Sequence, residues 1–362
     1  MSALSGLFGD IYKNKKILIT GHTGFKGNWL SAWLYKLGAN VVGLSLPPST
    51  NPNHFDLLNL PIETHFCDIR EGEKVKKLIE SIAPEIVFHL AAQPLVLTSY
   101  EDPIGTYETN IMGTLHVLEG CRKTKSVQAI LNITSDKCYE NKEWIYPYRE
   151  VDPMGGHDPY SSSKGCSELI TSSYRKSFFH STSVKLASAR AGNVIGGGDW
   201  APYRIIPDII RSWQEKKVLS IRSPKSTRPW QHVLTPLYGY LLLGEQLLKS
   251  HQHSSQFSYD QGWNFGPYLE ANVSVEELAQ LILKSFPDLQ IEWGSVSAHH
   301  EATLLNLDSS MATKFLGFSP VWNFKTTVEK TTEWYKAYFD KKDILTFKQI
   351  EEFSQNICLN LK

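Results

Sequence analysis

The sequence predicts an α/β fold, a doubly wound parallel sheet with a smaller C-terminal substrate-binding lobe. Through the first half of the chain, apolar runs typical of buried strands alternate with stretches of helical periodicity. From Gly192 onward the pattern changes to a glycine-rich loop, 192–200, followed by shorter elements with many aromatic residues and prolines. We therefore expect a first domain over 1–190 and a second lobe over 191–362, from which some segments return to the first domain.

The predicted strands are apolar runs, and the segments that follow several of them are polar or rich in glycine. In chain order they cover residues 16–20, 40–46, 62–67, 86–89, 128–134 and 183–188. Helices are predicted between most of them, for example at 71–82, 104–123 and 160–178. Because active sites on such sheets lie at the carboxyl ends of the strands, we expect the loops after these strands to form one site.

The first predicted strand leads directly into Gly21-His22-Thr23-Gly24-Phe25-Lys26-Gly27, which opens an amphipathic helical stretch. A strand, a glycine turn and a helix in this order indicate a Rossmann-type, dinucleotide-binding loop. Glycine lets the backbone turn tightly and approach the pyrophosphate, which lies at the positive end of the helix. The cofactor contacts expected here are Gly21, Thr23, Gly24, Phe25 and Gly27.

A second motif, Tyr160 and Lys164, opens the helix predicted at 160–178. Four residues apart, the two side chains share one helix face, with Cβ atoms about 5–6 Å apart. A fixed ammonium beside a phenol favours the phenolate and lowers the tyrosine pKa. This pair therefore predicts a base that takes a proton from a sugar or alcohol hydroxyl near neutral pH. The spacing also arises by chance, so the interpretation depends on the glycine loop as well.

Composition excludes several other classes of protein. Lys plus Arg and Asp plus Glu both number 37, so no basic excess favours nucleic acid or a membrane surface. No apolar run approaches the roughly 18 residues of a membrane span, and no signal peptide is recognisable, which predicts a cytoplasmic protein. The five cysteines are scattered and contain no Cys-x-x-Cys motif, so neither disulfides nor a metal is predicted.

These motifs together resemble the extended short-chain dehydrogenase/reductases, and within them the nucleotide-sugar 4,6-dehydratases. The resemblance runs from about 16 to 334 and includes the triplet 135–137 (Ser-Asp-Lys) and the segment 190–194. In enzymes that act on dTDP- or GDP-sugars, the triplet typically contains glutamate. The lysine in third place, with the segments 156–160 and 228–233, points to the branch whose substrate is CDP-glucose.

The resemblance implies an NAD-dependent lyase of deoxysugar biosynthesis, of the kind that serves lipopolysaccharide O-antigens. Tyr160, beside Lys164, would take the proton of the 4-hydroxyl while Ser135 positions that oxygen. Asp136 would protonate the departing 6-hydroxyl. Lys137 would take the C5 proton, a role that requires a lowered lysine pKa. Return of the hydride to C6 would give a 4-keto-6-deoxy sugar and regenerate the cofactor.

The resemblance also implies which loops bind the two ligands. The further cofactor contacts would be Ser45, Asp68, Ile69, Ala91, Ala92, Gln93, Tyr160, Lys164 and Arg190. Asn193, Arg204 and Arg228 would bind the nucleotide sugar, and the pyrophosphate suits the fork-shaped donors of arginine. Related enzymes pair through helices that correspond to 104–123 and 160–178, so a homo-oligomer, a dimer or tetramer, is expected.

Ser45 departs from the usual pattern of dinucleotide-binding folds. These folds commonly carry Asp or Glu at the end of the second strand, where the carboxylate binds the adenosine ribose. Without this carboxylate, NAD is expected to bind weakly. No Arg or Lys is close to Ser45 in the sequence, which argues against a dedicated phosphate site for NADP.

Simpler roles for several of these residues stay open. Asp136 and Lys137 could form a surface ion pair, and Arg190 could pair with a carboxylate in the core. Asn193 could be a turn residue. Arg204, like the other dispersed arginines, could be solvated.

Two other functions also stay open on the sequence alone. An epimerase or reductase of the same family needs Tyr160 and Lys164 but no acid–base pair after the fifth strand. A nucleotide-sensing binding protein without activity is disfavoured, because Ser135, Tyr160 and Lys164 are all present.

Overall fold

The computed structural model describes Leu4 and residues 6–221, 223–252, 257–294 and 304–360. Its strands are β1 (Lys16–Thr20), β2 (Asn40–Ser45), β3 (Glu63–Phe66), β4 (Ile86–His89), β5 (Ala129–Ile133), β6 (Lys185–Ala191), β7 (Val194–Ile195), β8 (Leu219–Ile221), β9 (Thr227–Pro229), β10 (Gln231–His232), β11 (Gly262–Phe265), β12 (Asn272–Ser274) and β13 (Ile291–Trp293). The central sheet is parallel and seven-stranded, in the order β3-β2-β1-β4-β5-β6-β11. This architecture confirms the predicted doubly wound fold.

Helices cover both faces of the central sheet. They are α1 (Phe25–Lys36), α2 (His54–Leu58), α3 (Gly72–Ile82), α4 (Val96–Glu101), α5 (Pro103–Tyr107), α6 (Gly113–Lys123), α7 (Pro159–Tyr174), α8 (Ile205–Glu215), α9 (Leu234–Gln252), α10 (Val275–Leu283), α11 (Ser310–Leu316), α12 (Phe324–Lys341) and α13 (Thr346–Asn360). None of the helices that the structure describes is long and apolar enough to cross a membrane.

The strand alternation explains why both faces are covered. Side chains of a strand point alternately to opposite faces, and in β1 the residues Ile17 and Ile19 enter one hydrophobic cluster while Leu18 enters another. The first cluster includes α1, α9 and the C-terminal helices, and the second includes α3 and α6. Every residue of β4 and β5 is therefore buried, as is usual for parallel strands between two helical layers.

The strand order fixes the position of the site. From β1 the chain moves outward through β2 and β3, and from β4 it moves outward in the other direction through β5 and β6. The connections therefore diverge between β1 and β4, and ligands bind at such a switch point, beyond the carboxyl ends of the strands.

Most predicted boundaries lie within one residue of the observed ones, and three predicted elements differ by more. Strand β6 runs to Ala191 instead of ending at 188, because it pairs with β11 from Ser188 to Ala191. The helix predicted at 104–123 consists of α5, a π-helical segment (Glu108–Met112) and α6. The helix predicted at 160–178 changes from α7 to a π-helical segment at 175.

Candidate active site

A cavity of about 670 Å³ lies at the carboxyl edge of the central sheet, where the glycine loop and the starts of α1 and α7 meet. Most residues predicted for the site line this cavity. They are Gly21, Thr23, Gly24, Phe25, Gly27, Ser45, Asp68, Ile69, Ala91, Ala92, Ser135, Asp136, Lys137, Tyr160, Lys164, Asn193, Arg204 and Arg228. The structure thus brings segments from both halves of the chain to one place.

Two predicted cofactor contacts, Gln93 and Arg190, lie outside the cavity lining. The Gln93 side chain donates to the carbonyl oxygen of Leu95 at 3.0 Å, a contact within its own loop. Arg190 lies inside β6, and its guanidinium donates to Glu168 Oε2 at 2.7 Å. The alternative left open for Arg190, a pair with a core carboxylate, is the arrangement in the structure.

The glycine loop has the close approaches that a dinucleotide site requires. Gly21 has a φ of +78°, and a Cβ there would lie 2.7 Å from the backbone nitrogen of Ala91. A Cβ at Gly27 would lie 2.1 Å from the carbonyl oxygen of Gly21. Helix α1 has no side-chain cap at Gly24, so its first N–H groups are available to an anion in the cavity. The residues present therefore fit the pyrophosphate of a dinucleotide.

The start of α7 places the Tyr160 and Lys164 side chains in the cavity. Pro159 occupies the first turn, where its missing N–H is tolerated, and Asp158 caps the helix by accepting from the Ser161 N–H at 2.9 Å. The Lys164 ammonium donates to the carbonyl oxygen of Ile133 at 3.5 Å. The capped helix thus holds both residues at the end of β5.

The prediction that Lys164 lowers the tyrosine pKa is wrong. Burial raises the pKa of Tyr160 to about 12, although a hydrogen bond with Ser135 and the charge of Arg204 oppose this effect. Burial also lowers the pKa of Lys164 to about 8, which favours its neutral form. Desolvation is therefore the largest cause of the pKa shift at both side chains.

Ser135, Asp136 and Lys137 follow β5 directly, in a short 3₁₀ turn. Ser135 Oγ donates to Asp136 Oδ1 at 2.9 Å, whereas Oδ2 has no hydrogen-bond partner among the described residues. Asp136 is 2% exposed, so it is not part of a surface ion pair. Burial raises the pKa of this carboxyl, and the charges of Lys137 and Arg228 oppose that rise. A buried carboxyl with one unpaired oxygen in the cavity is suited to donate a proton.

The arginines predicted to bind the substrate also line the cavity. Arg204 is half-buried, and its Nη1 donates to Asp199 Oδ2 at 3.0 Å, so it is paired rather than solvated. Arg228 is buried, and its Nη1 donates to the carbonyl oxygen of Thr227 at 2.8 Å. Asn193 precedes β7, and its carbonyl oxygen accepts from the N–H of Gln231. All three predicted substrate residues thus belong to the second half of the chain.

The sequence-based prediction missed Lys26, which also lines the cavity. Its Nζ donates to the hydroxyl of Tyr240 on α9 at 3.0 Å. Burial lowers the pKa of Lys26 to about 7, and the charge of Lys164 adds to this effect. A lysine inside a glycine motif that opens an apolar helix was the signal that could have identified it.

The fold and the cavity agree with one family. The chain matches the model of the NAD dependent epimerase/dehydratase family over residues 17–246 and belongs to this family. Its cofactor is NAD, as the glycine loop indicated.

The chain is 47% identical over 345 residues to the CDP-glucose 4,6-dehydratase of Salmonella typhimurium, an alignment that covers 93% of this chain and 94% of that protein. It is 25% identical over 353 residues to the dTDP-glucose 4,6-dehydratase of the same organism, covering 89% and 93%.

Solved structures share the fold. An epimerase from Methanothermobacter thermautotrophicus superposes with a TM-score of 0.81 at 24% identity, covering 93% of this chain and 96% of that one. DesIV, a dTDP-glucose 4,6-dehydratase from Streptomyces venezuelae solved with NAD and TYD bound, gives 0.75 at 20% identity, covering 90% and 98%.

Proposed function

We propose that the protein dehydrates CDP-D-glucose to CDP-4-keto-6-deoxy-D-glucose, with internal transfer of a hydride from C4 to C6. The single observation that carries this proposal is the Asp136–Lys137 pair in the same cavity as Tyr160. An epimerase or a simple reductase needs the tyrosine but no such acid–base pair. The high identity to a CDP-glucose 4,6-dehydratase over nearly the whole chain supports the same substrate.

Tyr160 and Ser135 serve the first step at the sugar C4 oxygen. NAD, when bound, would supply the acceptor for the C4 hydride and the donor of a hydride to C6, and its oxidised ring would add a positive charge that favours the phenolate. Tyr160 takes the proton of the 4-hydroxyl, and the Ser135 hydroxyl, which lines the same cavity, orients the same oxygen. The Lys164 ammonium is held at the end of β5 by the carbonyl oxygen of Ile133.

Asp136 and Lys137 serve the loss of water. Once C4 is a ketone, the C5 proton is acidic, and Lys137 removes it and returns a proton to C5 when C6 receives the hydride. Asp136 donates its proton to the 6-hydroxyl, which leaves as water. Desolvation of Asp136 favours the protonated form that this step requires. The elimination and the two hydride transfers together are redox-neutral for the sugar nucleotide and NAD.

Arg204, Arg228 and Asn193 would hold the nucleotide diphosphate in the second lobe. Guanidinium groups bind phosphate oxygens through two parallel hydrogen bonds. The proposed division of the chain is accordingly 1–190 for the cofactor and 191–362 for the substrate, with β11 completing the central sheet.

A homo-oligomer is part of the proposal. Ile104, Met112, Leu169 and Phe178 are exposed apolar side chains on the helices that related enzymes use for pairing. Exposed apolar residues on adjacent helices favour association, and sedimentation velocity would measure the assembly. The scattered, unpaired cysteines suit a reducing compartment, and we propose the cytoplasm.

The direct test is incubation with NAD and CDP-glucose, followed by the alkali-induced absorbance of the 4-keto-6-deoxy product. Absence of this product would refute the proposed function. Release of an epimerised sugar nucleotide instead would favour the alternative epimerase.

Lys137→Ala separates oxidation from dehydration. Since Tyr160 and Ser135 serve the C4 oxygen, the variant should still reduce the cofactor and accumulate a 4-keto-glucose intermediate. It should form little 6-deoxy product and show suppressed exchange of the C5 proton with deuterated solvent. Lys142→Ala is a suitable control, because Lys142 is an exposed lysine nearby that pairs with Glu140. Normal product formation would exclude Lys137 as the base, and loss of cofactor reduction would assign it to positioning the sugar.

A further inference from the structure

Tyr203 lines the cavity, and the mechanism above gives it no role. We propose that Tyr203 is a substrate-binding residue, whose ring covers the bound sugar nucleotide on the side of the second lobe. The inference rests on the proposed function in one respect, because it takes a nucleotide sugar as the ligand that this lobe binds.

The backbone of Tyr203 is in a conformation that its side chain disfavours. Its φ is +63°, in the left-handed region that is rare for bulky residues. Several other described residues with positive φ directly follow the last residue of a helix, where a left-handed residue is usual; they are Asn59, Ala83, Lys216 and Lys342. Tyr203 instead lies before α8, whose N-cap is Arg204, so the end of a helix does not explain its conformation.

The side chain of Tyr203 gives the fold little in return. It is 53% exposed and does not belong to the hydrophobic clusters of the described residues. Within the part of the chain that the structure describes, its hydroxyl has no hydrogen-bond partner and its ring has no aromatic neighbour. Strained residues of this kind concentrate at ligand sites, where binding is the reason for keeping them.

The position of Tyr203 indicates which ligand it contacts. Among the described residues, two exposed large apolar side chains line the cavity, Leu46 and Tyr203. Leu46 follows Ser45 at the end of β2, among the loops predicted for the cofactor. Tyr203 precedes Arg204, whose charge acts on Tyr160, and belongs to the half of the chain that carries the predicted substrate residues. Tyr203 is therefore assigned to the sugar nucleotide and not to NAD.

An exposed aromatic ring in this place suits a nucleotide sugar. Both the flat base and the C–H face of the hexose offer apolar surface to a ring. Covering the exposed half of a tyrosine side chain removes on the order of 100 Å² of surface from water. This burial corresponds to a tightening of the Kd of about 10- to 50-fold. The ring is thus the binding group, and the hydroxyl is not required.

The test is calorimetric titration of CDP-glucose into the protein saturated with NADH, where no turnover occurs because the reaction starts with the oxidised cofactor. Tyr203→Gly removes the ring, and glycine adopts a positive φ without steric cost. Its Kd for CDP-glucose should rise about 10- to 50-fold. Tyr203→Phe keeps the ring and should bind CDP-glucose as the unmodified protein does. The Kd of NADH should be the same in all three proteins.

Lys216→Gly is the matched control. Lys216 is exposed, has a φ of +52°, lies at the other end of α8 and is outside the cavity lining. The substitution relieves the same kind of backbone strain without removing a ring from the cavity. The Kd of CDP-glucose should not change.

Thermal unfolding gives a second readout, which separates binding from folding. Without ligands, Tyr203→Gly should unfold at the same temperature as the unmodified protein or up to about 2 °C higher, because strain is relieved and little packing is lost. Added CDP-glucose should raise the unfolding temperature of the unmodified protein more than that of Tyr203→Gly, since stabilisation by a ligand follows its Kd.

Three results would overturn the inference: equal Kd values of CDP-glucose in the unmodified and Tyr203→Gly proteins, a Tyr203→Phe protein as weak as Tyr203→Gly, or a weakening of NADH alone. Each of them leaves the proposed dehydration standing, because the unmodified protein still binds the sugar nucleotide. Absence of CDP-glucose binding to the unmodified protein would instead overturn the proposed function, and this inference with it.

Discussion

Two buried charged regions contact α7, one around Glu168 in the middle of the helix and one around Tyr160 and Lys164 at its start, and their side chains differ in how many hydrogen bonds they make. The core network consists of Glu168, Arg190, Ser188, Thr134 and Tyr139. Glu168 Oε2 accepts from Arg190 at 2.7 Å and from Ser188 at 2.6 Å, and Oε1 accepts from Thr134. Arg190 also donates to Tyr139 at 2.6 Å. Burial raises the pKa of Glu168, but Arg190 and these hydrogen bonds outweigh it and hold the pKa below its ordinary value.

At the cavity groups, burial has a larger effect on the pKa than hydrogen bonds and neighbouring charges do. These groups are Asp136, Tyr160, Lys164 and Lys26. Burial dominates at each of them, and every pKa moves toward the neutral form of the side chain. The comparison shows that burial alone does not decide the state of a charged residue. Hydrogen bonds to both carboxylate oxygens of Glu168 give an ion pair that stabilises the fold, whereas the cavity groups have fewer such partners and their neutral forms are favoured.

The largest expected effect comes from Tyr160→Phe, which removes a cavity group without changing the ring packing. We expect kcat to fall about 10²–10⁴-fold, the usual contribution of a general base, with no loss of thermal stability. Tyr35→Phe, the same change on the exposed surface of α1, is the control. Turnover close to that of the unmodified protein would contradict the assignment.

Arg190→Met breaks the core network and tests its structural role. Because the Glu168 charge stays buried without its partner, the free energy of unfolding should fall by about 3–5 kcal/mol. The double variant Arg190→Met/Glu168→Gln should regain part of this loss, and Arg149→Met, at an exposed ion pair with Asp152, should cost less than about 1 kcal/mol. Denaturant unfolding measures all three. If the Arg190→Met protein is stable but binds NAD more weakly, the result would contradict the structural role and support the predicted contact between Arg190 and the cofactor.

Ser45 also lines the cavity, and it differs from the groups above in carrying no charge. Its hydroxyl is hydrogen-bonded to Thr23 Oγ1 at 2.9 Å, and a serine offers the cofactor ribose no carboxylate. The protein purified without added NAD should therefore be largely apo, and NAD should stimulate it. One hydrogen bond to a charged acceptor contributes about 1.5–3 kcal/mol, so Ser45→Asp should tighten NAD binding about 10- to 100-fold.

Ser81→Asp, on the exposed surface of α3, controls for the added charge. Purification of the unmodified protein with non-dialysable NAD at full occupancy would show that other contacts compensate for Ser45.

Asp136→Asn gives a smaller expected change in stability than Arg190→Met, and the change is in the opposite direction. Since burial raises the pKa of Asp136, the folded protein favours the protonated carboxyl, and the unmodified protein loses stability as the pH rises above about 3.8 through the raised pKa. The asparagine variant lacks this loss. It should be inactive at the elimination step and more stable at pH 7 by about 0.5–2 kcal/mol.

Thermal unfolding between pH 3 and pH 8 measures this difference. The stability gap should be absent at the acid end and widen with pH. A gap that is constant across the range would mean that Asp136 does not titrate in the folded protein.

The features predictable from the sequence were those that local patterns determine. The six predicted strands and the glycine loop follow from residue periodicity and from the backbone freedom of Gly21 and Gly27. Arg190 and Gln93 were misplaced because the direction of a side chain depends on neighbouring elements. For Arg190 the deciding neighbour is Glu168, 22 residues away in the chain.

The pKa values could not be predicted because they depend on burial that the whole fold creates. The pair Tyr160 and Lys164 was recognised from its spacing, yet the sign of the tyrosine shift was wrong, since the covering elements come from distant segments. Lys26 was missed for the same reason. Its partner Tyr240 is 214 residues away, and a glycine motif is interpreted through its backbone rather than its side chains.

The pairing of β6 with β11 has a consequence for biosynthesis on the ribosome. Strand β11 begins at Gly262, so β6 has no neighbour on its outer side until some 70 residues after its own end have been made. During this interval the nascent chain exposes an unpaired strand edge, which is a template for misassociation with other chains. A fragment that ends at residue 190 should therefore aggregate, even though it contains every element of the dinucleotide site in the first half of the chain.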